Sequence, residues 1–403
     1  MNLLIIHPEG NIKNNPNLYA FTKELVKEGY SVVIFSLYRE GIYQGELFPG
    51  ARMEYYGLDR AENLKAKLKL FKQDFCHIIG IDQGVIEAAR LAKVLKINYS
   101  FLSYEIFFDS ELIKLNNATD LKHKRQSKKA CQDIQFAIVQ DDVRKSILAE
   151  EYLISNEKIL LMPVAGTGIR PLPKTKYFHD KLQIPAEKKV LLYMGWMDEL
   201  QINRMTGFAT YMPDNWVIVV HSRYKYAGKL PENFKADKIY FSFDSPIESI
   251  DDIGILLSGA DAGFCSYKAS FDSPFTGDNI TYIGMSSGKT TTFLQYGIPV
   301  VIENMNMWDE IVPKEKIGLV VTNQADLMGL DSLSQPDIIQ NCLRYFEQEI
   351  DIKNFCPAIF KQISNSKMQS QINKSSLFWY ICADNYLILK ARIKRFLSEN
   401  FSK

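Results

Sequence analysis

The feature that most constrains this chain is an alternation of short apolar runs with helical patterns, which starts a second time after a break. Apolar runs at 3–7, 31–36 and 76–81 are separated by segments whose apolar residues recur at helical spacing. Strands that alternate with helices predict a parallel, doubly wound sheet, whose functional loops lie at the carboxyl ends of its strands. The first such pattern ends with a run at 159–162.

A segment rich in Pro and Gly, 163–176, separates the two patterns, and apolar runs at 190–194 and 216–221 begin the second. The chain has 403 residues, whereas single cores stop growing near about 250–300 residues. We therefore predict two α/β domains. The predicted boundaries are an N-terminal Rossmann-like domain over 1–165, a linker over 166–176, a C-terminal Rossmann-like domain over 177–345 and a helical tail over 346–403.

Composition excludes several classes of protein. Lys and Arg (48) nearly balance Asp and Glu (47), so no overall field attracts nucleic acid, and no nucleic-acid partner is expected. The six cysteines show neither a C-x-x-C pair nor a histidine at zinc-ligand spacing, which predicts free thiols in a reducing compartment and no metal site. The first apolar run lacks the basic region of a signal peptide, and no run reaches the ~18 residues of a membrane span. We expect a cytoplasmic protein.

The most informative segment is 284–301, GMSSGKTTTFLQYGIPVV. Small residues lead into a predicted helix, whose first backbone N–H groups lack intrahelical partners and attract an anion. Lys289 adds a positive charge to the first turn, where it opposes the helix dipole unless an anion compensates. The pattern therefore predicts a phosphate site. Its candidate residues besides Lys289 are Ser286, Ser287, Gly288, Thr290 and Thr291.

The same segment resembles the GT-B glycosyltransferases, in particular the large retaining glycosyltransferase family 4 (glycosyl transferases group 1). That family carries Ser/Pro-x-Lys, a short helix with a Tyr-Leu or similar pair, and then Gly-x-Pro-Val. Here Ser287-Gly-Lys289, Phe293-Leu294-Gln-Tyr296 and Gly297-Ile-Pro299-Val-Val301 stand in that order. The likeness extends to Ala260-Asp261-Ala-Gly-Phe and to Tyr193-Met-Gly195.

The resemblance implies two Rossmann-like domains that face each other across a cleft. The C-terminal half would hold a nucleoside-diphosphate sugar and the N-terminal half a saccharide or lipid-linked saccharide acceptor. The implied reaction is a retaining, metal-independent transfer of the sugar to an acceptor hydroxyl, without a cofactor, in polysaccharide or other glycan assembly.

The candidate catalytic residues are Lys289 and Arg204, as cations that stabilise the departing diphosphate, together with Glu105. Other candidates follow predicted strands, where the loops of such a fold bind ligands. For the donor these are Gly195, Trp196, His221 and Ser222, in addition to the residues of the 284–301 segment. For the acceptor they are Glu9, Gly10, Asp82 and Tyr104.

Two departures from the family keep other functions open. The family's pair of Glu residues, eight positions apart, is replaced by Gly284 and Thr292, and no basic residue follows Gly195 until Arg204. A degraded GT-B subunit that binds a saccharide or a partner is therefore an alternative. A GT-B sugar epimerase is another, whereas a P-loop phosphotransferase would need Gly where Ile283 stands.

The last segment, 377–403, combines aromatic residues with a basic cluster at 390–395. Such a segment could contact an anionic membrane from the cytoplasmic side. A helix packed on the protein body with a solvated basic face explains the same pattern.

Overall fold

The structure is a computed structural model. It describes all residues except 9–14, 38–45, 57–65, 196–198, 223–227, 244–249, 304, 366–374, 385 and 387–403. The chain divides into two compact units. The first unit comprises Met1–Ile12, Phe21–Met162 and Phe355–Lys403, and the second comprises Lys13–Ala20 and Pro163–Asn354. The segment predicted as a linker, 166–176, lies within the second unit.

The first unit contains an eight-stranded sheet in the order β3-β4-β2-β1-β5-β6-β7-β8. All neighbouring strands are parallel except β3, which pairs antiparallel with β4. The apolar runs of β1 and β5 are buried, as expected for a sheet covered on both faces. The strands are β1 (Asn2–His7), β2 (Ser31–Leu37), β3 (Glu46–Phe48), β4 (Ala51–Tyr56), β5 (Phe75–Ile81), β6 (Asn98–Leu102), β7 (Ala137–Val139) and β8 (Ile159–Leu161).

Amphipathic helices connect these strands and pack on the sheet. In α3, the buried positions recur at helical spacing and join one hydrophobic core with residues of β1, β5 and β6. The helices of this region are α1 (Pro16–Lys27), α2 (66–70), α3 (Gly84–Leu95), α4 (Asp109–Lys114), α5 (Ala118–Cys131) and α6 (Asp142–Tyr152), with α14 (Cys356–Ser364) and α15 (375–384) from the end of the chain.

The second unit contains a six-stranded parallel sheet in the order β11-β10-β9-β12-β13-β14. Every residue of β10 is buried, which agrees with its continuous apolar sequence. The strands are β9 (Lys189–Met194), β10 (Trp216–His221), β11 (Ile239–Ser242), β12 (Ala262–Ser266), β13 (Val300–Glu303) and β14 (Gly318–Val320).

Helices also cover this sheet, and a second hydrophobic core includes Trp216, Phe208 and Phe264. The segment 250–257 forms a 3₁₀ turn, Ile250–Ile253, followed by a short α-helix, Gly254–Leu257. The α-helices are α7 (Tyr177–Leu182), α8 (Glu199–Tyr211), α9 (Gly254–Leu257), α10 (Asp278–Thr281), α11 (Gly288–Gln295), α12 (Met307–Glu315) and α13 (Pro336–Tyr345).

Side chains of helix α11 form hydrogen bonds with the start of the segment Pro163–Asn354 of the second unit. Thr291 donates a 2.5 Å hydrogen bond from Oγ1 to the carbonyl of Val164. Gln295 donates from Nε2 to the carbonyls of Thr167 and Gly168, at 3.1 and 2.8 Å. The polar side chains on this face of α11 therefore hold the chain at 164–168.

Candidate active site

The carboxyl ends of the second sheet bring polar residues of distant segments to one edge. The chain passes from β9 to β10 on one side and later returns to β12 on the other side of β9. In parallel sheets, ligands bind where the strand order reverses in this way. At this edge Gly195 follows β9, His221 ends β10, Ser266 ends β12 and Glu303 ends β13.

Lys289 lies at the reversal point, between two tyrosines of the flanking strands. Its Nζ is 4.8 Å from the ring centre of Tyr193 and 4.9 Å from that of Tyr267. Aromatic faces attract a cation, but within the described part of the chain no carboxylate forms an ion pair with Lys289. Desolvation lowers the pKa of this partly buried side chain to about 8. The site therefore contains a desolvated positive charge without a compensating negative one.

Gly195 makes the close approach of Lys289 possible. A Cβ atom at this position would lie 2.6 Å from the Nζ of Lys289. The φ of Gly195 is +151°, a conformation that other residues rarely adopt. The sequence requirement for glycine after β9 thus has two independent physical causes.

The start of α11 supplies further hydrogen-bond donors beside Lys289. The N-cap Ser287 accepts from the backbone N–H of Thr290 and donates a 3.1 Å hydrogen bond to the hydroxyl of Tyr267. No described group accepts from the backbone N–H of Gly288 or Lys289. These two N–H groups and the Lys289 ammonium together suit an anion.

The hydroxyls of the three threonines that follow Lys289 form hydrogen bonds within the protein. Thr290 lies 2.7 Å from the Oγ of Ser287, measured from its Oγ1. Thr291 and Thr292 both donate to the carbonyl of Gly288, at 3.2 and 2.6 Å. Since all three side chains are buried, they stabilise the turn that presents Lys289.

Arg204, the second predicted cation, is already paired. It forms an ion pair from Nη2 with Glu303, which also accepts a 2.9 Å hydrogen bond from the Oγ of Ser266. The Nη1 of Arg204 is buried and has no hydrogen-bond partner among the described residues. Glu303 therefore offsets the charge that Arg204 would offer to a diphosphate, and Lys289 remains the main cation of this edge.

His221 and Ser222 occupy the neighbouring strand end. The Nδ1 of His221 lies 3.1 Å from the Oγ of Ser242, and the backbone N–H of Ser222 donates to the carbonyl of the same residue. The carbonyl of His221 accepts a 3.1 Å hydrogen bond from the backbone N–H of Gly195. Both residues are buried and help to fix the loop after β9.

In the first unit, Asp82 fixes the loop that contains two other predicted site residues. Asp82 follows β5 with a φ of +46°. Its Oδ1 accepts from the backbone N–H groups of Tyr104 and Glu105, at 2.8 and 3.1 Å. The structure thus brings these three residues together at the carboxyl edge of the first sheet.

A buried arginine of α6 completes this cluster. Arg144, 1% exposed, donates from Nε to Gln140 at 2.8 Å and from Nη2 to the carbonyl of Tyr104 at 2.7 Å. Burial lowers its pKa, while the charges of Glu105, Asp141 and Asp82 oppose this shift. Arg144 and the surrounding carboxylates therefore compensate one another.

Solved structures show which fold these two sheets form. Sucrose-phosphate synthase from Thermosynechococcus elongatus aligns over 90% of this chain and 98% of its own, with a TM-score of 0.64 and 12% identity. HepE from Anabaena, solved in complex with UDP, aligns over 90% and 100%, with a TM-score of 0.63 and 10% identity. The chain has the GT-B fold of glycosyltransferases.

Another GT-B structure, the catalytic domain of starch synthase IV from Arabidopsis thaliana bound to ADP and acarbose, aligns over 90% of this chain and 98% of its own, with a TM-score of 0.58 and 9% identity. The sequence itself matches no family model, and no curated protein matches it. At these identities the likeness concerns the fold. It confirms the predicted GT-B architecture of two Rossmann-like domains.

The structure brings several of the predicted donor residues together around Lys289. The nearest to its ammonium is Gly195, and the start of α11, Ser287 and Gly288, lies beside it. Ser286 forms the turn before α11, where its backbone N–H donates to Ile283. Trp196, Glu9 and Gly10 lie outside the described residues, and their predicted roles stay predictions.

Sequence reasoning missed four residues of these two edges: Tyr193, Tyr267, Glu303 and Arg144. The three in the second unit lie at or next to the last residue of a strand: Tyr193 precedes the last residue of β9, Tyr267 follows β12 and Glu303 ends β13. That position, rather than any motif, was the available signal. Arg144 stands in an ordinary amphipathic helix, and nothing in its local sequence indicates burial.

Two further absences concern the described residues alone. No group of three or more His, Cys, Asp or Glu side chains among them is arranged to hold a metal ion. None of the helices described combines the length and the apolar character that a membrane span requires. The six cysteines are free, and five are buried.

Proposed function

We propose that the chain is a glycosyltransferase that moves a sugar from a nucleoside-diphosphate sugar to an acceptor hydroxyl. The observation that carries this proposal is the desolvated ammonium of Lys289 between Tyr193 and Tyr267, beside two free N–H groups of α11. A diphosphate provides the negative charge that this arrangement lacks. HepE and starch synthase IV, whose folds are similar, were solved with UDP and ADP.

In the proposed reaction, the bond between the sugar and the diphosphate breaks as the acceptor oxygen bonds to the sugar carbon, and the proton of the acceptor hydroxyl passes to the leaving diphosphate. Negative charge grows on the leaving diphosphate, and Lys289 with the α11 N–H groups would stabilise it more strongly than in water. We propose that no divalent metal is needed, because these groups supply the positive charge that a metal supplies elsewhere. By resemblance to the retaining family, the transfer would retain configuration at the sugar carbon.

We place the acceptor at the carboxyl edge of the first sheet. Asp82, Tyr104 and Glu105 lie together there, and saccharides are bound by polar groups in such loops. The acceptor would be a saccharide or lipid-linked saccharide in glycan assembly, and the reaction would take place in the cytoplasm.

The test is a screen of UDP-, GDP-, ADP- and CMP-linked compounds by thermal shift, followed by product analysis with the sugar form of the stabilising nucleotide. One of the four should raise the melting temperature, since a ligand that binds the native state stabilises it. Replacing Lys289 by Ala should lower the affinity for that nucleotide by roughly 10–100-fold, the value of a charge-assisted hydrogen bond of about 1.5–3 kcal/mol.

A suitable control is Lys316→Ala, which removes an exposed lysine of the same unit. An affinity that is unchanged in Lys289→Ala, with the control also unchanged, would contradict the proposed donor site. The anomeric configuration of the product and the effect of EDTA on the rate test the retaining and metal-independent parts separately.

The alternative function is a GT-B subunit that binds a saccharide or a partner without turnover. Two observations favour it: Glu303 neutralises Arg204, and Thr292, at a position where the family has Glu, folds its hydroxyl back onto Gly288. Nucleotide binding through Lys289 without sugar transfer to any acceptor would support this alternative.

A further inference from the structure

The last described helix, α15, is anchored to the first unit by a polar network. Asp384 forms ion pairs with Arg90 at 2.6 Å and with Lys67 at 3.3 Å. Tyr380, 5% exposed, donates its hydroxyl to Glu87, and the guanidinium of Arg90 lies 4.6 Å from its ring centre. The inward face of α15 thus satisfies buried charges, so its orientation on the unit is specified.

The outward face of α15 carries exposed aromatic side chains. Phe378 is 61% exposed and Trp379 is 68% exposed, and Tyr386, which lies after α15, is 64% exposed. Large exposed aromatic residues that cluster on one face indicate an interaction surface rather than ordinary exposure.

A stripe of positive charge lies on α5 of the same unit. Lys122, Arg125 and Lys129 follow one another at spacings of three and four, so they form one row along the helix. All three are exposed, and none has an ion-pair partner among the described residues. The other two lysines of this helix differ: Lys124 pairs with Glu151, and Lys128 pairs with Asp109.

The charged row and the anchored helix are linked through α3. A groove of about 650 Å³ between α3 and α5 is lined by Arg90, Lys93 and Lys129, among others. Arg90 also holds Asp384 of α15. The groove therefore connects the cations of α5 to the base of the aromatic helix.

We propose that this face of the first unit, formed by the α5 row, Lys93 and the outward aromatics of α15, binds an anionic membrane surface. Charge complementarity selects this occupant, because unpaired Lys and Arg attract acidic headgroups while exposed Trp and Tyr side chains insert at the interfacial depth. The proposal goes beyond glycosyl transfer and does not depend on it.

The test is co-sedimentation with phosphatidylcholine vesicles that contain or lack phosphatidylglycerol. The protein should bind only the anionic vesicles, and binding should fall as salt rises. The triple variant K122E/R125E/K129E should weaken binding by on the order of 100-fold, because each cation near an anionic surface contributes roughly fivefold. F378S/W379S should also weaken it, by about tenfold. A blue shift of tryptophan emission on vesicle addition should disappear in W379F.

Matched controls lie in the second unit. K235E/K314E/K316E makes the same change of charge at exposed lysines, and Y211S/M328S removes two exposed apolar side chains. Both controls should bind vesicles normally. Equal binding to neutral vesicles, or equal loss in the controls, would overturn the proposal. A third result would also overturn it: the wild type binds no vesicles but self-associates, and F378S/W379S abolishes the self-association. The face would then bind a second copy of the chain.

Discussion

A buried cation, Arg144, and a partly buried one, Lys289, lie at the carboxyl edges of the two sheets, and their surroundings differ in one decisive respect. Arg144 of the first unit donates to Gln140 and to the Tyr104 carbonyl, amid the charges of Asp82, Asp141 and Glu105. Lys289 of the second unit contacts two aromatic faces and forms no ion pair in the part of the chain that the structure describes. The charge of Arg144 is thus compensated within the protein, whereas that of Lys289 has no carboxylate partner among the described residues.

The difference teaches how to separate a structural cation from a ligand-binding one. A buried charge that opposite charges compensate is part of the folded structure. Removing it leaves those opposite charges buried and uncompensated, which lowers the stability of the fold. A desolvated charge without a partner costs stability in the free protein, which a bound anion can recover. We therefore expect substitutions of Arg144 to affect folding and substitutions around Lys289 to affect ligand binding.

The largest expected effect is on stability. Arg144→Ala should lower the free energy of unfolding of the first unit by about 3–5 kcal/mol, because the buried carboxylate of Asp141 and the half-buried carboxylates of Asp82 and Glu105 lose this compensating charge. Urea or thermal unfolding of the full chain measures this. Arg125→Ala, which removes an exposed arginine of the same unit, is the control. If Arg144→Ala changes the free energy of unfolding by less than about 0.5 kcal/mol, Arg144 is not a structural cation and does not differ from Lys289 in this respect.

The next effect is at Gly195. Gly195→Ala should cost about 1–3 kcal/mol of backbone strain. It should also displace Lys289, because the new Cβ would lie 2.6 Å from its Nζ. Nucleotide affinity, measured by calorimetry, should fall on the order of tenfold. Gly329→Ala is the matched control, since a Cβ there would lie at an ordinary 3.4 Å from Leu319. Equal affinity in the two variants would show that Lys289 does not need this close approach.

The pH dependence of nucleotide binding should follow the charge of Lys289. Its pKa in the free protein is lowered to about 8, so the ammonium is charged below this pH and loses its proton above it. A bound diphosphate favours the charged form, and affinity should therefore fall about tenfold between pH 7 and 9. Lys289→Arg keeps its charge over this range and should show a flat profile. The same fall in both proteins would assign the titration to another group.

The smallest expected effect is at the N-cap of α11. Ser287→Ala removes an acceptor for the N–H of Thr290 and a donor to Tyr267. It should lower the stability of the second unit by about 1 kcal/mol, as N-cap substitutions do. Thermal unfolding with Ser332→Ala as a control tests this, because Ser332 is exposed and donates only to a nearby carbonyl. A larger loss of nucleotide affinity than of stability would add Ser287 to the ligand site.

Much of the fold could be predicted because the central strands are continuous runs of apolar residues in the sequence. The apolar run Trp216–His221 forms a strand with the predicted bounds. Strand Ala51–Tyr56 was missed, since it alternates polar and apolar residues instead of forming a continuous run. Continuous apolar runs therefore identified the central strands better than a strand one position from the sheet's edge.

The candidate site was predictable in part. Lys289 and Gly195 follow recognisable local patterns, so their proximity agrees with the sequence interpretation. The pairing of Arg204 with Glu303 spans 99 positions, and no local spacing reveals it. Arg144 was missed for the same reason, because its partners come from the ends of three different strands and become neighbours only in the folded sheet.

The bonds from Thr291 and Gln295 to the carbonyls at 164–168 have a practical consequence for anyone who wishes to produce the second half alone. An expression fragment that begins near α7 would remove the carbonyls that accept from Gln295, and would leave Thr291 only its hydrogen bond to the Gly288 carbonyl. The fragment should therefore begin no later than Pro163, upstream of the boundary that the Pro-rich sequence suggests.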